Sequence, residues 1–89
     1  MYCYVYIIYS IRYNFYYIGS SFNPTERLKE HNGGKVKSTK NKGPWILKFY
    51  QDYQNQKQAR QIEYKLKKLK RRDIIERIII EGRIKININ

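Results

Sequence analysis

The chain is poor in sulfur, histidine and negative charge. A lone cysteine, Cys3, excludes an internal disulfide and any cysteine-rich zinc site. A lone histidine, His31, means that any chemistry needing an imidazole must use that residue. No apolar run approaches the ~20 residues of a membrane-spanning helix. No charged segment followed by an apolar stretch opens the chain as a secretory signal would. Acidic side chains number only 7 against 19 basic ones, for a net charge of +12. What is present is a chain of 89 residues, 42% hydrophobic and 16% aromatic, too apolar for a disordered basic tail. That length fits one domain, residues 1–89, with a small core. A cytoplasmic monomer that meets a polyanion is the expectation.

The charge is concentrated. Residues 1–34 carry a net +1, residues 35–72 carry thirteen basic and two acidic side chains, and residues 73–89 are neutral. Such a block is the footprint of a surface that contacts phosphates. Lys35, Lys37, Lys40, Lys42, Arg60 and Lys67 are the candidate contacts. An anionic membrane, a protein partner, or a face tuned only for solubility are the competing readings. Charge by itself does not separate DNA from RNA.

Residues 2–9 (YCYVYIIY) are aromatic and β-branched, which predicts a strand. Cys3, Val5 and Ile7 would face one way, and Tyr2, Tyr4, Tyr6 and Ile8 the other. Residues 10–14 read as a turn and Phe15–Gly19 as a second strand, pairing as an antiparallel hairpin. A first helix is announced by Asn23 as cap, Pro24 at the first helical position and Glu26 closing a capping box. It ends at Asn32-Gly33-Gly34, and Arg27 and His31 share one of its faces. A Gly- and Lys-rich loop over 33–44 leads to a third strand, Trp45–Tyr53. A second helix over 55–72 places Ala59, Ile62, Leu66 and Leu69 in an arc of about 80°. Ile74, Ile75, Ile78 and Ile79 suit a short helix stopped by Gly82, after which Ile84, Ile86 and Ile88 alternate like a strand. These eight isoleucines of 74–88 (with Ile80) either close the core or form a partner surface. The expected fold class is α+β: a small, mainly antiparallel three-stranded sheet flanked by helices, in the order β-β-α-β-α plus a helix or strand tail.

Glu63 is the sole carboxylate among eight basic residues in 53–72, and it lies at the edge of the apolar stripe. It reads either as an intrahelical ion pair with Lys67 or as the ligand of a hard divalent cation. Mg²⁺ commonly takes one or two carboxylates and completes its shell with water and phosphate oxygens. Arg27 and His31 read either as solvated surface or as a phosphate grip beside a proton-transfer group titrating near neutrality. Most of the ten tyrosines must pack the sheet, although an exposed one can stack on a base. The hairpin can bring Tyr6 and Tyr17 to one point, and Gly19 beside them admits a close approach.

The segment Tyr4-Val5-Tyr6, followed by Tyr17-Ile18-Gly19, resembles the paired signature of the GIY-YIG nuclease superfamily. Arg27-Leu28-Lys29-Glu30-His31 is similar to that family's Arg- and His-bearing helix. Glu63, with Ala59 before it and Leu66-Lys67 after it, is similar to the helix that bears its metal-binding Glu. The Gly34-Lys35 loop and the Pro44-Trp45 strand entry add to the likeness, which spans about residues 2–70. The resemblance implies a DNA-cutting phosphodiester hydrolase with one Mg²⁺ or Mn²⁺ at Glu63. It implies that Tyr6 helps to activate the attacking water and that Tyr17 orients that water or the phosphate. Arg27 would stabilise the transition state and His31 would assist proton transfer. The identity of the general base stays open. Three departures stand out: Tyr4 replaces the name-giving glycine, Ser20 stands where excision-repair members have a Lys, and no Asn occurs between Tyr64 and Gly82. A phosphate contact in place of that Lys falls to Lys35.

Overall fold

Side chains on the first strand alternate between two apolar layers, and the rest of the chain is arranged around them. A computed structural model of the protein describes residues 1–85. In chain order the elements are β1 (Cys3–Ser10), β2 (Phe15–Ser21), α1 (Pro24–Asn32), a 3₁₀ turn (Lys37–Thr39), β3 (Trp45–Tyr53), α2 (Gln56–Leu69) and α3 (Arg72–Glu81). The sheet order is β2-β1-β3 and both pairings are antiparallel. This is the expected α+β architecture, with a helix as its last described element.

Cys3, Val5 and Ile7 face α2, packing with Ile18, Phe49, Ala59, Ile62 and Leu66. Tyr6 and Ile8 face the other way, into a smaller cluster with Trp45, Leu28 and Leu47 under α1. The third strand serves both layers because its register slips between Ile7 and Ile8. Ile7 pairs with Phe49 and Ile8 with Leu47, leaving Lys48 as the extra residue of a bulge. Without it, Leu47 and Phe49 would share a face. With it, Trp45 and Leu47 line the α1 side while Phe49 and Tyr53 join the α2 side.

Helix α1 starts as the sequence predicts, with Asn23 Oδ1 accepting from the Glu26 N–H and Pro24 at its first turn. The capping box is only half closed. The Asn23 N–H donates to Ser21 Oγ, and the Glu26 carboxylate takes Lys29 at 3.2 Å. Gly34, at φ +73°, supplies the left-handed turn after the helix, and its neighbour Lys35 N–H closes onto Glu30 O.

Three boundaries differ from expectation. The second strand runs two residues past Gly19, to Ser21. Helix α2 stops at Leu69 instead of reaching 72, because Lys70 turns left-handed at φ 51°. Leu69 is consequently 44% exposed, outside the buried stripe. Ile84 is buried but lies in no strand, and its N–H donates to Gln51 Oε1 at 2.8 Å. Ile86 and Ile88 lie outside the described residues. Ile74, Ile75, Ile78, Ile79 and Ile84 close the α2-side core, and Ile80 alone among the described tail isoleucines points outward.

Candidate active site

Cross-strand pairing sets the site. Tyr6 lies opposite Gly19, and Tyr17 opposite Ile8, so both phenols project from the α1 face. The Tyr6 ring crosses directly over Gly19: a Cβ there would stand 2.4 Å from the Tyr6 hydroxyl oxygen. Only glycine leaves that space.

Helix α1 lowers His31 onto the two tyrosines. His31 is 2% exposed, with ring centroids 5.8 Å from Tyr6 and 5.2 Å from Tyr17. Its Nε2 lies 2.8 Å from the Tyr6 hydroxyl and its Nδ1 2.7 Å from Thr39 Oγ1. The hydrogen-bond network assigns the tautomer. Tyr6 O–H donates to Nε2, Nδ1–H donates to Thr39, and the Thr39 hydroxyl donates to Val36 O at 3.4 Å. Burial, reinforced by the nearby Arg27 charge, lowers the His31 pKa to about 4. The titration near neutrality expected from sequence is therefore displaced, and His31 is neutral at pH 7. Nor is His31 solvated surface.

Arg27, one turn earlier, is half-exposed and pairs with Glu30 at 2.7 Å. Burial pushes the Tyr6 phenol up to about 12, while Arg27 beside it pulls the other way. At that value only about one molecule in 10⁵ carries the Tyr6 phenolate at pH 7.

Glu63 arrives from the opposite layer. It rides on α2, and its carboxyl comes up at the outer edge of β2, where Ser20 Oγ donates to Oε1 at 2.6 Å. Ser20 is the residue next to Gly19, so the carboxylate meets the rim of the tyrosine site. Lys67 bonds Oε2 at 2.8 Å and holds its ammonium 5.0 Å from the Tyr17 ring centroid. The ion pair weighed from sequence is present. The Glu63 charge also opposes ionisation of Tyr6. The site thus straddles the edge strand instead of lying on one face.

The basic candidates divide. Lys67 joins the site directly. The 3₁₀ turn presses its polar residues on the tyrosines, with Ser38 Oγ donating to Tyr17 at 3.3 Å, and exposes Lys37. Lys40 lines a cavity of about 750 Å³ together with His31 and Arg12. Lys35 is exposed at the loop start, and the Lys42 ammonium is drawn to Ser38 O at 3.3 Å. Arg60 lies apart from the tyrosines, in a groove on α2 with Lys57 and Tyr64.

Sequence reading missed four contributors. Thr39 sits in a polar, aperiodic loop where nothing signals burial, yet it is 1% exposed. Ser20 showed only as a missing lysine, and it is the residue that fixes Glu63. Asn32, taken as a helix stop, clamps the start of β3 by accepting from Trp45 N and donating to Trp45 O. Trp45 backs the imidazole at 6.3 Å between centroids.

A family model described as the GIY-YIG catalytic domain matches residues 2–77. The chain belongs to this family. The GIY-YIG match extends beyond the motifs into the first half of α3. A relative from Clostridium perfringens, UPF0213 protein CPE1444, is 35% identical over 63 residues, covering 70% of this chain and 68% of that one. The solution NMR structure of UPF0213 protein BH0048 from Bacillus halodurans is similar with a TM-score of 0.56 and 30% identity, over 92% of this chain and 87% of the other. Neither relative is named for a reaction. GIY-YIG membership implies a nucleic-acid substrate and a nuclease-type site.

GIY-YIG nucleases typically use a divalent metal ion, and the donors present here fit only some such ions. Among the described residues no three His, Cys, Asp or Glu side chains cluster, which does not suit zinc. One carboxylate, 20% exposed at a basic rim, does suit a hard ion that keeps waters and borrows phosphate oxygens. No helix among the described residues is long and apolar enough to cross a membrane.

Proposed function

We propose that this GIY-YIG protein is a divalent-metal-dependent endonuclease that hydrolyses phosphodiester bonds in DNA. The observation that carries the reading is the Tyr6 hydroxyl. It is held at 2.8 Å by a neutral buried imidazole above a glycine floor, with Arg27 beside it and Glu63 at the rim. Tyr6, Tyr17, Arg27 and His31 are the catalytic group, and Glu63 would hold the ion.

An Mg²⁺ or Mn²⁺ ion bound through Glu63 and phosphate oxygens would supply Lewis-acid charge neutralisation. Arg27 donates to the phosphate oxygens and opposes the charge that builds on them as water attacks. Tyr17, rimmed by Lys67 and Ser38, orients the phosphate or the water. The water oxygen bonds to phosphorus, one bridging P–O bond breaks, and the departing alkoxide takes a proton from solvent. Tyr6 is placed to take the water's proton only after losing its own, and His31 fixes the phenol in that position. The phenolate is favoured by Arg27 and by the ion that Glu63 would hold. The loop lysines Lys35, Lys37, Lys40 and Lys42 flank the substrate through phosphates, with little sequence preference. The setting is cytoplasmic and the working unit a monomer.

The test is cleavage of single-stranded, duplex, flapped and branched DNA, with RNA counterparts, in Mg²⁺ or Mn²⁺. Nicking that disappears in Glu63→Ala, with binding largely kept, is the expected result. Absence of cleavage on every substrate with both metals removes the enzyme reading. A second reading, a nucleic-acid-binding module without turnover, draws on one observation: both Glu63 oxygens already have partners, Ser20 and Lys67. In that case Arg27→Ala matters no more than Lys68→Ala in binding, and neither affects any cleavage.

A further inference from the structure

A groove of about 330 Å³ runs along the outer edge of β2, next to the site. Tyr16 and Tyr17 form its strand side, and Lys67, Lys70, Arg71 and Arg72 its helix side. The sequence puts three successive cations at the α2–α3 junction, and the left-handed Lys70 turns the chain there. The wall is anchored. Arg72 donates to Asn14 O at 2.7 Å and to Asn14 Oδ1 at 2.9 Å, and its guanidinium lies 5.1 Å from the Tyr16 ring centroid.

The cations are available. Lys67 and Arg71 have acidic partners in Glu63 and Asp73, and both cations are themselves about half-exposed. Such pairs are worth about 0–1 kcal/mol and exchange readily for a phosphate. Lys70 is exposed and has no acidic partner among the described residues. Because Tyr17 and Lys67 belong to both groove and site, the groove begins where the scissile phosphate would lie.

We infer that this groove seats the sugar–phosphate backbone of a single nucleic-acid strand adjoining the scissile phosphate, with Lys70 as its principal free cation. The inference rests on the nuclease reading and names the path of its substrate. The space, about 330 Å³ between one strand edge and one helix junction, is of a size that suits a single strand. Its contacts are charges on phosphates, so it reads strand form and not sequence.

The test is binding of a fluorescein-labelled single-stranded DNA 12-mer, by anisotropy, in EDTA and across a salt series. Lys70→Gly removes the charge and suits a left-handed position, so the fold is kept, which a thermal melt checks. The control is Lys57→Ala, on the first turn of α2 and about 20 Å away along the helix. Lys70→Gly is expected to weaken binding about tenfold and lower the salt slope by about one, and Lys57→Ala to weaken it less than about twofold. Equal losses in the two variants overturn the groove. Nicking by the wild type beside equal losses rejects the groove alone. A selective loss in Lys70→Gly beside a wild type that nicks nothing rejects the nuclease reading alone.

Discussion

The Tyr6 hydroxyl and His31 Nε2, 25 residues apart in sequence, meet at 2.8 Å inside the protein. The bond joins the central strand to α1 and gives a buried phenol and a buried imidazole a partner each. Neither group can lose it without leaving a polar atom unsatisfied in a water-poor place.

This sets the acid stability of the protein. His31 binds no proton in the fold until about pH 4, while an unfolded histidine titrates near 6.5. Between those values the unfolded chain holds more protons, so stability rises with pH and is lost on acidification from about 6.5 to about 4. The His31 contribution to that loss is about 3 kcal/mol. Urea midpoints measured from pH 7 to pH 4 are expected to fall more steeply for the wild type than for His31→Gln. Parallel curves would contradict the assignment.

Gly19→Ala puts a methyl group 2.4 Å from the Tyr6 oxygen and 2.6 Å from its ring carbon, so the ring must move. A destabilisation of about 1–3 kcal/mol is expected from the forced repacking. Cleavage is expected to fall by about tenfold or more as the hydroxyl leaves its position. Denaturant melts and nicking rates on one preparation check both, and an unchanged rate would mean that Tyr6 placement is unimportant.

Glu63→Ala removes the Lys67 ion pair and the bond from Ser20 Oγ, together worth about 1–2 kcal/mol. The variant should still melt cooperatively, lowered by no more than about 10 °C, while cleavage is lost. A large drop in melting temperature would instead make Glu63 a structural residue.

Deleting Lys48 removes the bulge. Leu47 and Phe49 then become neighbours and fall on opposite faces by ordinary alternation, still paired with Ile8 and Ile7, so each layer keeps its side chains. A cooperative thermal transition is expected to survive by circular dichroism, and its loss would show that the bulge itself is needed to shape the sheet.

The local grammar of the chain was legible from residues alone. The alternation of Cys3, Val5 and Ile7 against Tyr6 and Ile8 foretold two apolar layers, because strand side chains change face at every residue. Asn23-Pro24 and Gly82 marked helix ends correctly, since capping depends on a few adjacent groups. The bulge at Lys48 left no mark, because a strand reads the same whether or not its partner has slipped.

Tyr6, Tyr17, Arg27, His31 and Glu63 were all singled out by residue type and order, and the sequence alone also determined the basic block of 35–72. Folding decided what those groups are. Burial made the imidazole neutral and the phenol hard to ionise, since a low-polarity surrounding penalises charge. Edge geometry brought Glu63 around β2 to Ser20, and the left-handed turn at Lys70 set a basic wall along the groove that begins at Tyr17. Distances between residues remote in the chain, and the solvent each one retains, belong to tertiary structure alone.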